Sequence, residues 1–295
     1  MQNIQNIPLS KLTTYQIGGY CLGVICTRSQ EEYISTLLEL STKAPYRIIG
    51  KGSNLLISDE KLDFFVVTGK YRDVKIYKED GKFIVFVTPF TELQFFIKTL
   101  IWKGISGYEE LAAIPATVGG AVFNNAGTKN VEISKYLRKV TVYKRKTGEI
   151  VNMYVDSSFF CYRNSLFKEE TLNGNPMDII ELVFEFPLHN LINPESLYRK
   201  YKEVWEKRQQ TQPLSFKSCG SVFKNLPNLA AWQIIDSLGY RGFRIGQAKV
   251  SEKHCNFIIN LGNAKFSHVY EIIQRIKNHS RNQNILLEEE VEIWK

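Results

Sequence analysis

The segment 217–225 reads Lys-Ser-Cys-Gly-Ser-Val-Phe-Lys-Asn and places a Gly-Ser pair between a polar loop and an aromatic and basic run. A serine in such a turn, here Ser221, can hold its hydroxyl toward a ligand and donate a proton. Gly-Ser pairs are also common in ordinary turns, so this segment alone supports both interpretations. Other polar and glycine-rich segments of the chain favour the functional one.

Residues 50–54, Gly-Lys-Gly-Ser-Asn, directly follow a β-rich run. Their glycines permit positive φ and close backbone approach, so consecutive N–H groups can form a concave nest for a pyrophosphate. The spacing is neither that of a Walker A loop nor that of a Rossmann fingerprint. An ordinary turn is the alternative interpretation.

The stretch 104–127 is also rich in glycine, with Gly119, Gly120 and Gly127 near its end and Pro115 at its centre. Glycine and alanine let the main chain approach a flat ligand such as an isoalloxazine ring, while N–H groups meet phosphate oxygens. The alternative is a glycine-rich loop that crosses the edge of a sheet.

Two charged segments complete the set of polar candidates. The guanidinium of Arg163 is a planar fork of donors that suits a carboxylate or its enediolate form. The run 288–290 is Glu-Glu-Glu, and in an alternating strand Glu290 and Glu292 would share one face while Val291 takes the other. Solvated surface charges are the simpler interpretation of both segments.

Composition restricts the classes of protein that fit. The chain has 295 residues, 44% of them hydrophobic, which is enough for a core and for two domains. A net charge of +8 indicates anionic ligands. Because the lysines and arginines are scattered, a nucleic-acid-binding stripe is disfavoured, although a basic, non-catalytic nucleic-acid-binding protein remains a rival hypothesis.

Cysteines and the first residues of the chain indicate the compartment. Five cysteines without a paired spacing indicate a reducing environment, and the four histidines show no ligand pattern, so we expect no metal site. The first residues lack the basic and apolar regions of a signal peptide. We therefore expect a cytoplasmic protein that contacts neither membrane nor nucleic acid.

Periodicity predicts the elements that position these residues. Capping-box patterns at 29–32 and 91–94 predict helices at 30–40 and from 91 to about 103. Strands are predicted at 46–50, 64–69 and 179–186, with hairpins at 74–88 and 139–155. A polar stretch bracketed by prolines, 187–194, is predicted to be a linker, and helices at 229–238 and 266–276 with strands at 256–261 and 291–294 are predicted beyond it.

Taken together, these motifs resemble those of the UDP-N-acetylenolpyruvoylglucosamine reductase family, the MurB-type flavoenzymes of bacterial cell-wall synthesis, in the shorter of the family's two forms. The resemblance covers nearly the whole chain. It rests on Ile17-Gly-Gly, Gly50-Lys-Gly-Ser-Asn-Leu-Leu, residues 107–127, Tyr162-Arg-Asn-Ser, Gln212-Pro, Gly220-Ser-Val-Phe-Lys-Asn, residues 250–257 and Leu287-Glu-Glu-Glu-Val.

The resemblance implies an α+β fold. A two-subdomain FAD-binding domain of the vanillyl-alcohol-oxidase/PCMH type would be followed by a smaller α+β substrate-binding domain. The expected boundaries are residues 1–70 and 71–190 for the two FAD-binding subdomains and residues 191–295 for the substrate-binding domain.

The resemblance also implies a reaction, the NADPH-dependent and FAD-mediated reduction of the enolpyruvyl group of UDP-N-acetylglucosamine enolpyruvate to UDP-N-acetylmuramate in peptidoglycan precursor synthesis. Ser221 would donate the proton, with Arg163 and Glu290 completing the catalytic trio, and Tyr162 and Asn225 would contact substrate. FAD would be held by Gly50, Gly52, Ser53, Asn54, Ile114, Pro115, Thr117, Gly119, Gly120, Asn125, Ala126 and Gly127.

Several positions depart from the family pattern. Ala116 replaces a usual glycine, Asn124 a methionine, residues 128–130 an Ala-Tyr-Gly-like turn, Glu289 a proline and Glu292 an arginine. These departures concern flavin contacts and the last strand rather than the trio. Another FAD oxidoreductase of the same fold, acting on a different alcohol or sugar, is the rival among enzymes. The sequence leaves the oligomeric state open, with a monomer as the working expectation.

Overall fold

The computed structural model describes residues 4–295, which form two compact units. Unit 1 comprises residues 4–5, 24–51 and 65–206, and unit 2 comprises residues 6–23, 52–64 and 207–295. The chain therefore passes between the units more than once. The division at 1–70, 71–190 and 191–295 stays a prediction, because compactness groups chain segments and does not assign cofactor or substrate roles to them.

Unit 1 contains two large sheets and one two-stranded hairpin. The order of its four-stranded sheet is Ile4–Gln5, Gly23–Thr27, Phe65–Gly69 and Tyr46–Ile48, and the last two of these strands are parallel. The order of its five-stranded antiparallel sheet is Val74–Glu79, Lys82–Val87, Met177–Pro187, Leu137–Lys144 and Glu149–Tyr154. The predicted strands and both hairpins of this region are confirmed.

The turn of the first hairpin shows why its sequence predicted it. Asp80 and Gly81 both have positive φ, +44° and +73°, as a two-residue turn of the primed type requires. Strands Val74–Glu79 and Lys82–Val87 then pair in register.

The helices of unit 1 cover its sheets. They are Gln30–Ser41, Leu93–Trp102, Val118–Phe123, Leu166–Leu172 and most of Pro194–Thr211. Ser29 caps the first of them by accepting a hydrogen bond from the N–H of Glu32, as predicted. Within residues 4–295, no helix combines the length and the apolar character that crossing a bilayer requires.

The second predicted capping box is wrong. The N-cap of helix Leu93–Trp102 is Glu92, without a side-chain cap. The hydroxyl of Thr91 is instead 2.8 Å from that of Thr88. The Gln94 amide donates to the carbonyls of Leu111 and Ile114, so it braces the glycine-rich segment instead of the helix.

The predicted linker is packed rather than free. The amide of Asn190 is buried and donates to the Ser106 carbonyl at 2.8 Å and to the Tyr136 hydroxyl at 3.1 Å. Leu197 and Tyr201, on the helix that follows, belong to the core of unit 1. Polarity and two prolines suggested a linker, but its polar groups bond within the unit.

An ion pair between the buried Asp178 and the mostly buried Arg145 joins the four-stranded and five-stranded sheets of unit 1. Arg145 makes two hydrogen bonds to the carboxylate of Asp178, at 2.8 and 2.6 Å, and a third to the Tyr46 carbonyl at 2.7 Å. The Tyr46 hydroxyl donates to the same carboxylate at 2.6 Å. Burial and then the Asp178 charge raise the pKa of Tyr46, so this hydroxyl stays a donor.

Unit 2 is a smaller α+β body. Its strands form a three-stranded sheet, Arg244–Ile245, Ala248–Val250 and Ile258–Asn260, and a parallel pair, Leu55–Ile57 with Glu292–Trp294. Helices Ala231–Ser237 and Phe266–Asn282 pack on a core that includes Phe223, Ile234 and Ile272. The second helix runs six residues beyond its predicted end at 276. The predicted α+β class is confirmed.

The ion pair provides a test of what joins the sheets of unit 1. Replacing Asp178 with Ala leaves a mostly buried guanidinium without its counter-charge, so we expect the free energy of unfolding to fall by about 3 kcal/mol. Chemical denaturation measures this loss. The control is Glu185→Ala, which removes the half-exposed partner of Lys82 and should cost about 1 kcal/mol or less. Equal losses in the two variants would contradict the assignment.

Candidate active site

The Ser221 loop of unit 2 is held in one conformation by the residues on both sides of it. Gly220 has a φ of +79°, which only glycine adopts without strain. Val222 and Phe223 are both buried at 1% exposure. Ser221 itself is half-buried, and among residues 4–295 its hydroxyl forms no hydrogen bond. The hydroxyl is therefore available to a ligand.

Asn256 fixes the backbone that follows Ser221. Its amide nitrogen donates to the Phe223 carbonyl at 2.8 Å and its amide oxygen accepts the Phe223 N–H at 2.9 Å, while its own carbonyl accepts the Val222 N–H. Asn256 is not among the predicted site residues. The available signal was an asparagine that opens an apolar run, since a buried amide must find partners.

Glu290 lies beside this loop, but not on the last strand. Its N–H donates to the Val222 carbonyl at 2.8 Å, the chain bends at Val291, and the strand starts only at Glu292. The alternation of Glu290 and Glu292, which assumed a strand that includes both residues, stays a prediction. Glu290 reaches the Ser221 loop because residues 288–290 run along 222–224, as the bridge between Phe223 and Glu289 shows.

Residues 52–54 join the same group. Gly52 has a φ of +58° and its carbonyl accepts the Thr14 N–H, while the Thr14 hydroxyl donates to the Ser218 carbonyl at 2.7 Å. The Asn54 amide donates to the Glu290 carbonyl at 3.0 Å. We call this group the Ser221 face of unit 2. Its members are Thr14, Gly52, Ser53, Asn54, Ser218, Gly220, Ser221 and Glu290.

Open space adjoins the Ser221 face. A Cβ built on Gly220 would have one neighbour within 4 Å, the Ser53 carbonyl oxygen at 4.0 Å. This differs from Gly19 in the same unit, where a Cβ would lie 2.1 Å from the Asp59 carbonyl oxygen. Gly220 therefore adjoins open space beside the Ser53 carbonyl rather than packed protein.

Cys219 is the buried neighbour of Ser221 and Glu290. Burial raises the pKa of the Cys219 thiol to about 12, and the Glu290 carboxylate raises it too. Burial likewise raises the pKa of Tyr15, with Cys219 adding to the effect. Both groups are thus neutral at physiological pH and do not compete with Ser221 as charged species.

Asn225 has a structural role at the surface of unit 2. Its amide oxygen accepts the Ala231 N–H at 2.9 Å at the start of helix Ala231–Ser237. The residue is exposed. Its contact with substrate stays a prediction.

In unit 1, the glycines of the predicted cofactor segment pack against protein. A Cβ on Gly50 would be 2.4 Å from the Thr117 hydroxyl, and one on Gly119 would be 2.7 Å from Pro89. The N–H of Gly119 donates to the Pro89 carbonyl, and that of Gly120 to the Thr117 hydroxyl. These two amides are already engaged, so close packing explains the glycines there.

The start of this segment is strained. Ala113 has a φ of +63°, unusual for a residue with a side chain, and its N–H donates to the Gln94 amide oxygen. Ile114 packs against the unit 1 core, whereas Pro115 is exposed. The left-handed conformation of Ala113 directs the chain from the core at Ile114 to the surface at Pro115. The sequence did not predict this conformation.

Arg163 occupies a two-residue turn of unit 1. Strands Phe160–Cys161 and Asn164–Ser165 pair, and Arg163 between them has a φ of +57°. Its guanidinium donates to the Gly127 carbonyl at 2.8 Å and is 4.9 Å from the ring centre of Tyr162. Tyr162 is exposed. The structure thus brings the predicted residues Tyr162, Arg163 and Gly127 together.

Comparisons with known proteins match both parts of the chain. A family model described as "FAD binding domain" matches residues 21–154, and one described as "UDP-N-acetylenolpyruvoylglucosamine reductase, C-terminal domain" matches residues 212–294. Together they define a chain with an FAD-binding domain ahead of a reductase C-terminal domain.

Individual relatives agree with these models. A UDP-N-acetylenolpyruvoylglucosamine reductase of Carboxydothermus hydrogenoformans is 36% identical over 93% of this chain and 87% of its own length. That of Petrotoga mobilis is 32% identical over 99% and 94%. The crystal structure of the Thermus caldophilus reductase superposes with a TM-score of 0.81 at 31% identity, covering 99% of both chains. The chain belongs to the UDP-N-acetylenolpyruvoylglucosamine reductase family, as the sequence motifs predicted.

The environments of the cysteines predict which thiol reacts. Burial raises the pKa of Cys219 to about 12 and that of Cys255 to about 11, and Cys21 and Cys26 are buried, whereas Cys161 is exposed. We expect a thiol reagent at pH 8 to label Cys161 first in the folded protein, because thiolates at accessible positions react. Mass spectrometry locates the label.

Cys161→Ser should remove the fast phase of labelling, and Cys26→Ser should leave it unchanged. Early labelling of Cys219 would contradict the buried, protonated environment described for it.

Proposed function

We propose that this chain reduces the enolpyruvyl group of UDP-N-acetylglucosamine enolpyruvate to give UDP-N-acetylmuramate, with NADPH as the reductant and FAD as the bound cofactor. The observation that carries the proposal is the Ser221 hydroxyl, which is half-buried, makes no hydrogen bond to the described residues, and is fixed beside Glu290. Membership of the reductase family supplies the reaction. This reaction is a step of peptidoglycan precursor synthesis.

The residues of the chain fit FAD in their donor chemistry. In unit 2, Gly220 adjoins open space beside the Ser53 carbonyl, and in unit 1 the buried amide oxygen of Asn125 accepts no hydrogen bond from residues 4–295. An amide oxygen accepts hydrogen bonds and so suits a hydroxyl or N–H of a dinucleotide, whereas backbone N–H groups of the glycine-rich segments suit its diphosphate. We propose that FAD is held by Gly50, Gly52, Ser53, Asn54, Ile114, Pro115, Thr117, Gly119, Gly120, Asn125, Ala126 and Gly127.

When bound, FAD supplies a carrier that accepts a hydride from NADPH and passes it to the β carbon of the enolpyruvyl group. Negative charge then develops on the α carbon and its carboxylate. We propose that Ser221 donates its proton to the α carbon. A neutral serine is a very weak acid, so this transfer requires a strongly basic acceptor and a hydroxyl held in place.

We assign the stabilisation of the developing enediolate to Arg163. Its planar fork of donors can bond both oxygens of a carboxylate, which a lysine cannot do. Glu290 orients or polarises and does not abstract a proton. Tyr162 and Asn225 complete the proposed contacts with substrate.

The proposal also explains the basic character of the chain. FAD, NADPH and a UDP-sugar all carry several negative charges, and a net charge of +8 favours their approach. Nucleic acid is not needed to account for the charge. We propose a cytoplasmic enzyme and, for its assembly, a monomer.

Ser221→Ala tests the proton donor. We expect reduction by NADPH to be nearly unchanged, whereas reoxidation by the enolpyruvyl substrate slows at least about 10²- to 10⁴-fold, because general-acid catalysis is lost. Stopped-flow absorbance at the flavin band measures both half-reactions. Ser215→Ala, at an exposed turn nearby, is the control. Equal loss in both half-reactions would count against the assignment.

Arg163→Lys tests the fork of donors. Lysine keeps the charge and can occupy the same backbone turn, but it loses the paired donors, so we expect kcat to fall by about 10²-fold or more. Steady-state assays with the enolpyruvyl substrate measure this effect. The control is Arg138→Lys, at an exposed arginine of strand Leu137–Lys144. Unchanged turnover in the Arg163 variant would show that its proposed role is wrong.

A further inference from the structure

Helix Val118–Phe123 ends in a backbone motif that normally takes glycine. The Ala126 N–H donates to the Ala121 carbonyl at 2.7 Å and the Asn125 N–H to the Val122 carbonyl at 3.1 Å. This is the Schellman arrangement, and its left-handed residue is Asn125, with a φ of +45°. Glycine would serve this backbone at lower cost, so the asparagine side chain must have another use.

The side chain of Asn125 has two partners in unit 1. Its amide nitrogen donates to the Cys161 carbonyl at 3.0 Å and to the Glu132 carboxylate at 2.9 Å. The residue is 0% exposed, so both bonds are shielded from water. Rotation of the amide by 180° would turn its oxygen toward the carboxylate, so Glu132 fixes which way the amide faces.

The carbonyl of Cys161 belongs to the hairpin that presents Arg163. Two further bonds join that hairpin to the segment 123–127: the Ser165 hydroxyl donates to the Phe123 carbonyl at 2.7 Å, and the Arg163 guanidinium to the Gly127 carbonyl at 2.8 Å. Of these three hydrogen bonds, only that of Asn125 is made by a side chain of the segment 123–127. It holds the carbonyl of Cys161, two residues before Arg163.

Glu132 is placed to support this link. A bridge between Gly127 and Glu132 closes a short loop, in which the Thr128 N–H donates to the Val131 carbonyl at 2.8 Å. The loop 127–132 therefore carries both the Gly127 carbonyl that binds Arg163 and the Glu132 carboxylate that binds the Asn125 amide.

We propose that Asn125 and Glu132 are positioning residues for Arg163: Glu132 orients the Asn125 amide, and the amide holds the Cys161 peptide so that the guanidinium stays at the Gly127 carbonyl. This inference rests on the proposed function of Arg163. The positioning role of Asn125 does not depend on contact with a cofactor. Glu132 was not among the predicted site residues.

Asn125→Gly is the sharpest variant, because glycine keeps the left-handed backbone and removes only the amide. We expect reoxidation by substrate to slow between about 10- and 100-fold, as for a small displacement of a catalytic group, in protein saturated with FAD because Asn125 is also a proposed FAD contact. Asn284→Gly is the matched control. Asn284 ends helix Phe266–Asn282 in the same motif, with a φ of +60° and an exposed side chain.

Two Glu132 variants test whether the hydrogen bond from the Asn125 amide, rather than the size of the Glu132 side chain, is what matters. Glu132→Ala should behave like Asn125→Gly, whereas Glu132→Gln should retain near-normal rates, since its amide oxygen can still accept the Asn125 N–H. Hydrogen exchange of residues 158–166 in flavin-free protein gives a readout apart from activity. Exchange should be faster in Asn125→Gly and Glu132→Ala than in the parent, and unchanged in Asn284→Gly.

A double-mutant cycle with Arg163→Ala distinguishes the possible failures. If Asn125 acts through Arg163, Asn125→Gly should add no further slowing in the Arg163→Ala background. Slowing that multiplies in the double variant, or unchanged hydrogen exchange, would overturn the positioning role. If Arg163→Ala alone does not slow reoxidation, it is the proposed function of Arg163 that fails.

Discussion

A serine hydroxyl can serve as an acid only if the protein holds it in place, because its proton is released only to a strongly basic atom at close range. The backbone after Ser221 meets this demand in unit 2. The Asn256 side chain bonds both polar groups of Phe223, and the N–H of Glu290 bonds the Val222 carbonyl. These are backbone contacts, so they fix the loop without occupying the hydroxyl.

In unit 1, the backbone similarly holds the guanidinium of Arg163 in place. Left-handed backbone at Ala113, Asn125 and Arg163 sets the path of the chain where the predicted site residues lie. Each such residue costs free energy, of order 1 to 3 kcal/mol, and persists because hydrogen bonds determine its conformation. The Asn125 side chain bonds Glu132 and the hairpin that carries Arg163. The same hydrogen bonds therefore hold the left-handed backbone of Asn125 and position Arg163.

Much of the fold followed from local patterns. The turn at Asp80-Gly81 and the cap at Ser29 were predicted because the residues themselves impose the geometry. The predictions that were wrong concern residues whose side chains have distant partners. The Gln94 amide bonds the carbonyls of Leu111 and Ile114 rather than completing a capping box, and the Asn190 amide of the predicted linker bonds the Ser106 carbonyl.

The candidate site shows the same limit. Motifs indicated Ser221, Arg163 and Glu290, but Asn256 and Glu132 emerged only once their hydrogen bonds were visible. Glycines show a further limit. Gly50 and Gly119 pack against Thr117 and Pro89, a reason for glycine that the sequence did not indicate, and their contact with FAD stays a prediction. Periodicity and turn chemistry encode local geometry, whereas the partners of a buried amide depend on the assembled fold.

The most direct measurement is a crystal structure of the chain with FAD and the enolpyruvyl UDP-sugar bound. The account predicts the Ser221 hydroxyl within about 3 to 3.5 Å of the α carbon. It also predicts the Arg163 guanidinium within about 2.6 to 3.2 Å of the substrate carboxylate. A Ser221 hydroxyl turned away from the substrate and bonded to protein would contradict it.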